Sequence, residues 1–192
     1  MEVVAAAIET YTERLDDERL AVAARADIDA FGLLYERHVE RVFRFLRARG
    51  ASEDEAADLT AITFERALRA IHRYRPQGAG FPAWVLRIAR NAAIDATRER
   101  RPEPLDVMAD APAVRRDGSP EAAAVAREDR EHVRVLMASL PEAQRDALAL
   151  RYGTGLSPGE IALVIGKSEG ATKKLLTRGL SQLRKDWPDD DR

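Results

Sequence analysis

The sequence has no cysteine among its 192 residues and few aromatic residues. The lack of cysteine excludes disulfide bonds, thiolate zinc sites and a cysteine nucleophile. Aromatic residues make up 6% of the chain, whereas hydrophobic residues make up 45% and charged residues 33%. Such a composition is typical of helical proteins rich in alanine, leucine, arginine and glutamate, and it disfavours a β sandwich. We therefore predict an all-α fold.

Long hydrophobic runs are also missing from the start of the sequence. The first twenty residues have no basic start, and their apolar run is too short for a signal sequence or a membrane span. We expect a cytoplasmic protein without membrane insertion.

The sequence lacks the patterns that accompany catalysis or metal binding. No glycine-rich phosphate loop and no serine-elbow motif occurs, and the acidic pairs are predicted to lie on solvated helix faces. The three histidines, His38, His72 and His132, are far apart and lack metal-ligand spacing, so each is predicted to be a surface or interfacial residue. We predict neither a cofactor nor an enzymatic activity.

The chain divides into two small helical domains joined by a flexible linker. The first domain is predicted over residues 27–101, after an acidic segment over residues 1–26 to which no chemistry is assigned. Prolines and a glycine with few large apolar side chains predict the linker over residues 102–119. The second domain is predicted over residues 120–186, and residues 187–192 form a short tail.

Three helices are predicted in the first domain. Apolar residues recur at helical spacing from Asp27 until Gly50 interrupts them. Ser52, followed three residues later by a glutamate, has the form of a capping box for the second helix. A loop rich in glycine and proline follows, and Pro82 is predicted to open a third helix that runs through Arg100.

The second domain is predicted to end in a helix-turn-helix. Pro120 and Pro141 can open two helices that end near Ser139 and Gly153. A second capping box with proline at the first helical position then starts a short helix that ends at a glycine. A serine two residues later can cap the last, longer helix. A short helix, a tight turn and a longer basic helix make a helix-turn-helix.

Basic residues around the last helix are candidates for contacts with nucleic acid. The second helix of a helix-turn-helix enters the major groove, where Lys and Arg bind phosphates or guanine and Glu accepts from cytosine. A plain alternative is that these charges only solvate the helix, but the capped helix-turn-helix spacing favours DNA binding. The candidates are Arg151, Ser168, Glu169, Gly170, Lys173, Lys174, Thr177 and Arg178.

The third helix of the first domain and the loop before it form a second candidate surface. The loop combines Arg73, Tyr74 and Arg75 with glycines, which suits stacking on an unpaired base. Trp84 is interpreted as a core residue. Asn91 could hydrogen-bond a base edge, although an asparagine on a helix is by default only solvated. The helix candidates are Arg87, Arg90, Asn91 and Arg98.

Two motifs together resemble the extracytoplasmic-function (ECF, group 4) sigma factors of the sigma-70 family. The segments DLTAITFERAL and FPAWVLRIARNAAIDATRERR resemble sigma domain 2, and LPEAQRDALALRYGTGLSPGEIALVIGKSEGATKKLLTRGLSQLRK resembles sigma domain 4. The resemblance covers roughly residues 27–185. It implies two all-α domains that bind core RNA polymerase and open promoters without enzymatic activity.

The resemblance also implies partners and residue roles. Domain 2 would bind the polymerase clamp through its second helix and melt the minus-10 element, and domain 4 would sit on the flap and read the minus-35 element. The loop before Phe81 would hold a flipped minus-10 base, and Phe64 would belong to the core. An anti-sigma factor would be a further partner. The implied clamp-binding residues are Asp58, Leu59, Ala61 and Ile62.

The sequence departs from the family pattern on the clamp-binding helix and on the last helix. Ala61 and Ile62 stand where the family usually has a Gln-Glu pair, and Leu175 stands where it commonly has an arginine. Phosphorylation of Thr60 or Thr63 is one way in which negative charge could return to the clamp-binding surface.

Two other functions are compatible with parts of the pattern. A sigma mimic that sequesters an anti-sigma factor without binding promoters would explain Ala61 and Ile62, but it has no reason to keep the cationic helices. An ordinary dimeric helix-turn-helix repressor would explain only the second domain. A true sigma factor accounts for both domains and is the predicted function.

Overall fold

The computed structural model of the protein describes residues 17–76, 78–99 and 132–187, and the regular elements in these ranges are helices. This agrees with the predicted all-α fold. The predicted linker, most of the acidic segment and most of the tail lie outside the described residues.

Within residues 17–76 and 78–99, the first domain has four helices and a short 3-10 turn. Residues 17–23 form the described part of α1. The remaining elements are α2 (Ile28–Ala48), α3 (Glu53–Ala70), the 3-10 turn (Ile71–Arg73) and α4 (Gly80–Glu99).

Side-chain caps begin two helices of the first domain, and the one at Ser52 was predicted from the sequence. The Asp27 carboxylate accepts a hydrogen bond from the Asp29 backbone at the start of α2. Ser52 and Glu55 form the predicted reciprocal capping box at the start of α3. Helix α4 begins at Gly80, two residues before the predicted start at Pro82.

In its described part, residues 132–187, the second domain has four helices and a π-helical turn. Residues 132–139 form the described part of α5. The remaining elements are α6 (Glu142–Leu148), the π-helical turn (Ala149–Gly153), α7 (Pro158–Ile165) and α8 (Glu169–Asp186).

Local capping residues set the start of α7, its end and the start of α8 in the helix-turn-helix. Ser157 and Glu160 form a capping box at the start of α7. Gly166 ends this helix at φ +67°, a left-handed conformation that favours glycine. The Ser168 hydroxyl then accepts from the Ala171 backbone at the start of α8. The predicted helix-turn-helix is confirmed.

One continuous apolar core joins the two domains. Helix α2 packs against the π-helical turn, and α4 packs against α7. Phe45 and Leu46 near the end of α2 are fully buried, as are Leu148 and Leu150 of the second domain. Burial of each such side chain contributes about 2 kcal/mol. The two domains are therefore docked on each other by apolar burial.

A buried ion-pair cluster anchors α1 on α2. The Asp17 carboxylate lies 2.7 Å from His38 Nε2 and 3.1 Å from Arg37 Nη1. His38 is buried against the Phe81 ring, so it is an interfacial residue of the core and not a surface one. Asp17, which the sequence analysis placed in the acidic segment, thus has a structural role in the core of the first domain. The α1 end also reaches the loop before α4, because Arg25 donates to the Tyr74 carbonyl over 2.7 Å.

Replacing Asp17 by Asn is expected to destabilise the first domain by about 2 kcal/mol at pH 7, because His38 would lose its buried partner. Burial raises the pKa of the Asp17 carboxyl, but hydrogen bonds and charges from His38 and Arg37 outweigh this effect and hold the pKa below its usual value. A depressed carboxyl pKa adds stability above the unfolded-state pKa, and this stability is lost as the pH falls through the folded-state pKa.

Urea unfolding followed by circular dichroism at pH 7 and pH 3 measures this effect. The difference between the native chain and Asp17→Asn should shrink at pH 3. Glu36→Gln on the exposed face of α2 is the matched control, with no difference expected at pH 7. An undiminished difference at pH 3 would contradict the electrostatic explanation.

No helix in the three described ranges is long and apolar enough to cross a membrane.

Candidate nucleic-acid interface

Helix α8 presents a continuous exposed surface at its N-terminal half. Thr172 is fully buried, and its hydroxyl donates to the Ser168 carbonyl, so this side of the helix faces the domain core. The predicted contact residues lie on the solvent side. The exposed ones are Arg151, Ser168, Glu169, Gly170, Lys173, Lys174, Thr177 and Arg178.

An ion pair within this surface modulates its charge. Glu169 lies 2.7 Å from Lys173 Nζ, and both side chains are more than half exposed. Such an exposed pair contributes little to stability, so Lys173 can exchange Glu169 for a phosphate at small cost. Lys174 and Arg178 add two further exposed cations.

Helix α8 is held at close range by α6. A β-carbon at Gly179 would lie 2.8 Å from the Leu148 side chain, so only glycine allows this approach without a shift. Leu175, Leu176, Leu180 and Leu183 are half-buried on the same domain core. This packing fixes the direction in which α8 presents its N-terminal half.

Helix α4 carries the second predicted surface. Arg87, Asn91 and Arg98 are exposed, whereas the Arg90 side chain is only 19% exposed. An open groove runs along this face. It is lined by Arg66, Arg90, Asn91, Ile94, Asp95, Arg98 and Glu142.

The carboxylate of Asp146 covers Arg90 from the second domain. Asp146 Oδ2 lies 2.5 Å from Arg90 Nε, and Asp146 Oδ1 lies 2.7 Å from Arg49 Nε. Asp146 is fully buried and Arg49 is 8% exposed. Glu142 lies 3.5 Å from Arg90 at the rim. The predicted solvation of the acidic residues is therefore wrong at Asp146.

A third arginine adjoins this cluster. Burial lowers the pKa of the Arg145 guanidinium, and the nearby charge of Arg49 lowers it further. Arg145 donates to the Ala138 and Leu140 carbonyls at 2.8 and 2.9 Å. Three arginines therefore meet at this contact between the domains, and the carboxylates of Asp146 and Glu142 offset only part of their charge.

The loop before α4 differs in part from its prediction. Arg73 and Arg75 are exposed, as a contact with unpaired DNA requires. The Tyr74 side chain is 1% exposed and packs against Phe81 and Trp84, so in this structure its ring cannot stack on a base. The prediction that Tyr74 stacks on an unpaired base is therefore wrong, because its ring belongs to the core beneath the loop.

The residues of α3 predicted to bind the polymerase clamp and those predicted to be phosphorylated lie on different faces of the helix. Asp58, Ala61 and Ile62 are exposed, and Leu59 is half-buried. The Thr60 and Thr63 hydroxyls lie on the buried face and donate to backbone carbonyls one turn earlier, each over 2.6 Å. Phosphorylation at either residue would require α3 to open locally.

Two family profiles match the chain. The profile described as Sigma-70 region 2 matches residues 34–103, and the profile described as Sigma-70, region 4 matches residues 136–185. The first range contains the α3 and α4 surfaces, and the second contains the helix-turn-helix.

Characterised relatives are similar over most of the chain. The ECF RNA polymerase sigma factor BldN of Streptomyces coelicolor is 37% identical over 173 residues, which cover 88% of this chain and 65% of BldN. The chain thus spans slightly less than two thirds of the length of BldN. The RNA polymerase sigma factor CarQ of Myxococcus xanthus is 36% identical over 160 residues, which cover 81% of this chain and 88% of CarQ.

Solved structures of similar fold are complexes. CnrH in complex with the cytosolic domain of CnrY matches with a TM-score of 0.69 and 27% identity, covering 88% of this chain and 96% of the matched one. The sigma factor RpoE in complex with the anti-sigma factor NepR from Bartonella quintana matches with a TM-score of 0.62 and 20% identity, covering 81% and 94% of the two chains. The second match supports the fold alone.

Proposed function

Because the chain belongs to the ECF sigma factors of the sigma-70 family, we propose that it binds core RNA polymerase in the cytoplasm and directs it to specific promoters. The observation that carries this proposal is the pairing of two cationic surfaces on the matched regions. One surface is the exposed N-terminal half of α8, and the other is the arginine-bearing face of α4.

In this proposal, α8 reads the minus-35 element. Lys173, Lys174 and Arg178 bind phosphates or guanine in the major groove, and Glu169 selects cytosine when Lys173 releases it. Gly170 leaves open space beside the helix start, because a β-carbon there would meet no neighbour. Ser168, Thr177 and Arg151 flank this contact.

Domain 2 opens the minus-10 element in the same proposal. Arg87, Asn91 and Arg98 follow the promoter backbone and base edges along α4. Arg73 and Arg75 bind beside the flipped base, while the buried Tyr74 supports the loop from below. Tyr74 thus acts on the loop conformation and not through stacking on DNA.

The exposed face of α3 is the proposed contact with the polymerase clamp. Asp58 supplies the polar contact, and Ala61 and Ile62 supply an apolar one. An anti-sigma factor is a proposed further partner; CnrH, whose solved structure has a similar fold, is bound to the cytosolic domain of CnrY. The exposed Ala61 and Ile62 also fit the rival function of a sigma mimic, which would bind an anti-sigma factor and no promoter.

Transcription in vitro tests the proposal. Core RNA polymerase from the source organism, the purified chain and a genomic fragment library should give discrete start sites that are absent without the chain. Core binding without start sites, at several salt concentrations, would contradict promoter recognition. Failure to bind core polymerase would favour the mimic.

A further inference from the structure

We propose that Arg25, in the turn that follows α1, is a positioning residue that fixes the loop before α4 and so determines which minus-10 base this loop accepts. Arg25 does not touch DNA in this proposal, because it acts through the backbone of the loop. The inference rests on the proposed function, since it assigns base selection to the loop that is proposed to hold the flipped base.

The Tyr74 carbonyl oxygen accepts hydrogen bonds from two arginines. Arg25 Nη2 lies 2.7 Å from this oxygen, and Arg75 Nη1 lies 3.1 Å from it. Arg75 Nη1 also donates to the His72 carbonyl over 3.2 Å. A carbonyl oxygen has two lone pairs, so both guanidinium groups can bond to it at once. Arg25 therefore holds the loop backbone next to Arg75, which is proposed to bind beside the flipped base.

Arg25 also influences Arg75 through its charge. The two guanidinium groups are both positive and meet at one oxygen, where Arg25 makes the shorter bond. Repulsion between like charges favours conformations in which the exposed Arg75 side chain turns toward solvent, where DNA would lie. Without Arg25, this repulsion is lost and Arg75 can settle on the Tyr74 carbonyl, which withdraws it from DNA.

The loop needs such an anchor because its own backbone is permissive. Gly78 and Gly80 have φ values of +59° and +71°, in the left-handed region that favours glycine. Hydrogen bonds to a base edge form over about 2.7–3.2 Å and weaken steeply when their geometry is poor. Even a small displacement of the Tyr74 backbone should therefore change which base the loop accepts.

Arg25 can serve as an anchor because the residues before it are fixed in the core. Ala21 of α1 and Ala24 in the following turn are buried. At the other end of the described part of α1, Asp17 Oδ2 lies 2.7 Å from His38 Nε2, and both residues are buried. The backbone that carries Arg25 is thus held by apolar burial and by a buried pair.

A row of rings gives α1 a second route to Tyr74. The ring centroid of His38, the partner of Asp17, lies 5.3 Å from that of Phe81, and Phe81 lies 5.8 Å from Tyr74. Trp84 lies 5.3 Å from Tyr74 in the same group. These rings hold the Tyr74 side chain from below while Arg25 holds its carbonyl. Loss of Arg25 should therefore loosen the loop without unfolding the domain.

Amide hydrogen exchange of the free protein, followed by NMR, tests the anchor without RNA polymerase. The Tyr74 amide donates to the Ile71 carbonyl over 3.0 Å, so its exchange rate reports the opening of this turn. Arg25→Ala should raise the rate at least tenfold. Arg19→Ala removes the same charge from an exposed position of α1 and should change the rate less than twofold. An unchanged rate in Arg25→Ala would overturn the positioning role.

Base selection is measured on the holoenzyme with a promoter found for the native chain, in which the minus-10 or the minus-35 element is randomised. Sequencing of the DNA recovered in open complexes gives the base preference at each position. Arg25→Ala should reduce the preference at least fivefold at one or two adjacent minus-10 positions and leave the minus-35 preferences and core binding unchanged. Arg25→Lys keeps a cationic donor and should recover part of the preference, and Arg19→Ala should retain all of it.

A merely stabilising role of Arg25 gives a different result. It would lower the yield of open complexes for every sequence alike and leave the base preferences unchanged, which would overturn the inference. The effects of Arg25→Ala and Arg75→Ala on the preference should also be non-additive, because the two residues share one acceptor. Additive effects would overturn the coupling through the Tyr74 carbonyl.

A failure of the sigma function is distinguishable from a failure of this inference. If the native chain gives no start sites with core polymerase while Arg25→Ala still accelerates Tyr74 exchange, the proposed function and base selection are both wrong and only the anchor stands. If the native chain gives start sites and Arg25→Ala leaves the base preferences unchanged, the chain is a sigma factor in which Arg25 does not set base selection.

Discussion

Reversal of charge at Lys173 and Lys174 together is expected to lower promoter-specific transcription at least 100-fold while core polymerase binding is retained. Each lysine is exposed on the N-terminal half of α8, where the major groove would lie. Loss of a contact in a DNA interface costs about 1–3 kcal/mol, and a glutamate adds repulsion from the phosphates. Two such changes account for a loss of this size.

Run-off transcription with the start sites found for the native chain measures this loss. Arg184→Glu with Lys185→Glu, in the last turns of the same helix, changes the net charge equally and should cost less than tenfold. The slope of log affinity against log salt for the holoenzyme should also fall by about two in the Lys173→Glu, Lys174→Glu variant. Equal losses in both variants would mean that net charge, and not the position on α8, determines DNA binding.

Gly153→Leu is expected to separate the two domains and shift at least nine tenths of the free protein to an extended form. The added side chain has to displace Ala48 or the Arg44 carbonyl, and overpacking of this kind costs about 1–3 kcal/mol. The π-helical turn packs directly against α2, so the strain is relieved when the domains part. Each domain should keep its own helices.

Small-angle X-ray scattering of the free protein measures the separation as an increased radius of gyration. Gly32→Leu is the matched control, since a β-carbon there meets nothing within 4 Å and the position is exposed on α2. It should leave the radius unchanged and slightly favour the helix. A compact Gly153→Leu protein with native helix content would contradict close packing as the basis of docking.

Features encoded by neighbouring residues were predicted well from the sequence. The capping boxes at Ser52 and Ser157, the helix end at Gly166 and the Ser168 cap are all present in the structure. Each depends on partners within four residues, so its pattern is readable along the chain. The two-domain all-α fold followed from these signals and from the family resemblance.

Features made by distant residues were not predicted. Asp146 is 97 residues from Arg49 and 56 residues from Arg90, and an acidic residue on a helix is solvated by default. Its burial depends on how the domains dock, for which the sequence offers no local signal. Tyr74 was misjudged for the same reason, because only the packing of the loop on α4 shows that its ring is inside.

The shared ion cluster limits how freely one half of this protein can be exchanged for the half of another. Asp146 comes from one domain and its two arginines come from the other, so a chimera with a foreign domain 4 keeps the docked state only if a carboxylate arrives at the same place. A mismatched chimera would leave Arg49 buried without its charge partner and would lose stability. The stability of engineered hybrids should therefore depend on the match between these three residues more closely than on overall sequence identity.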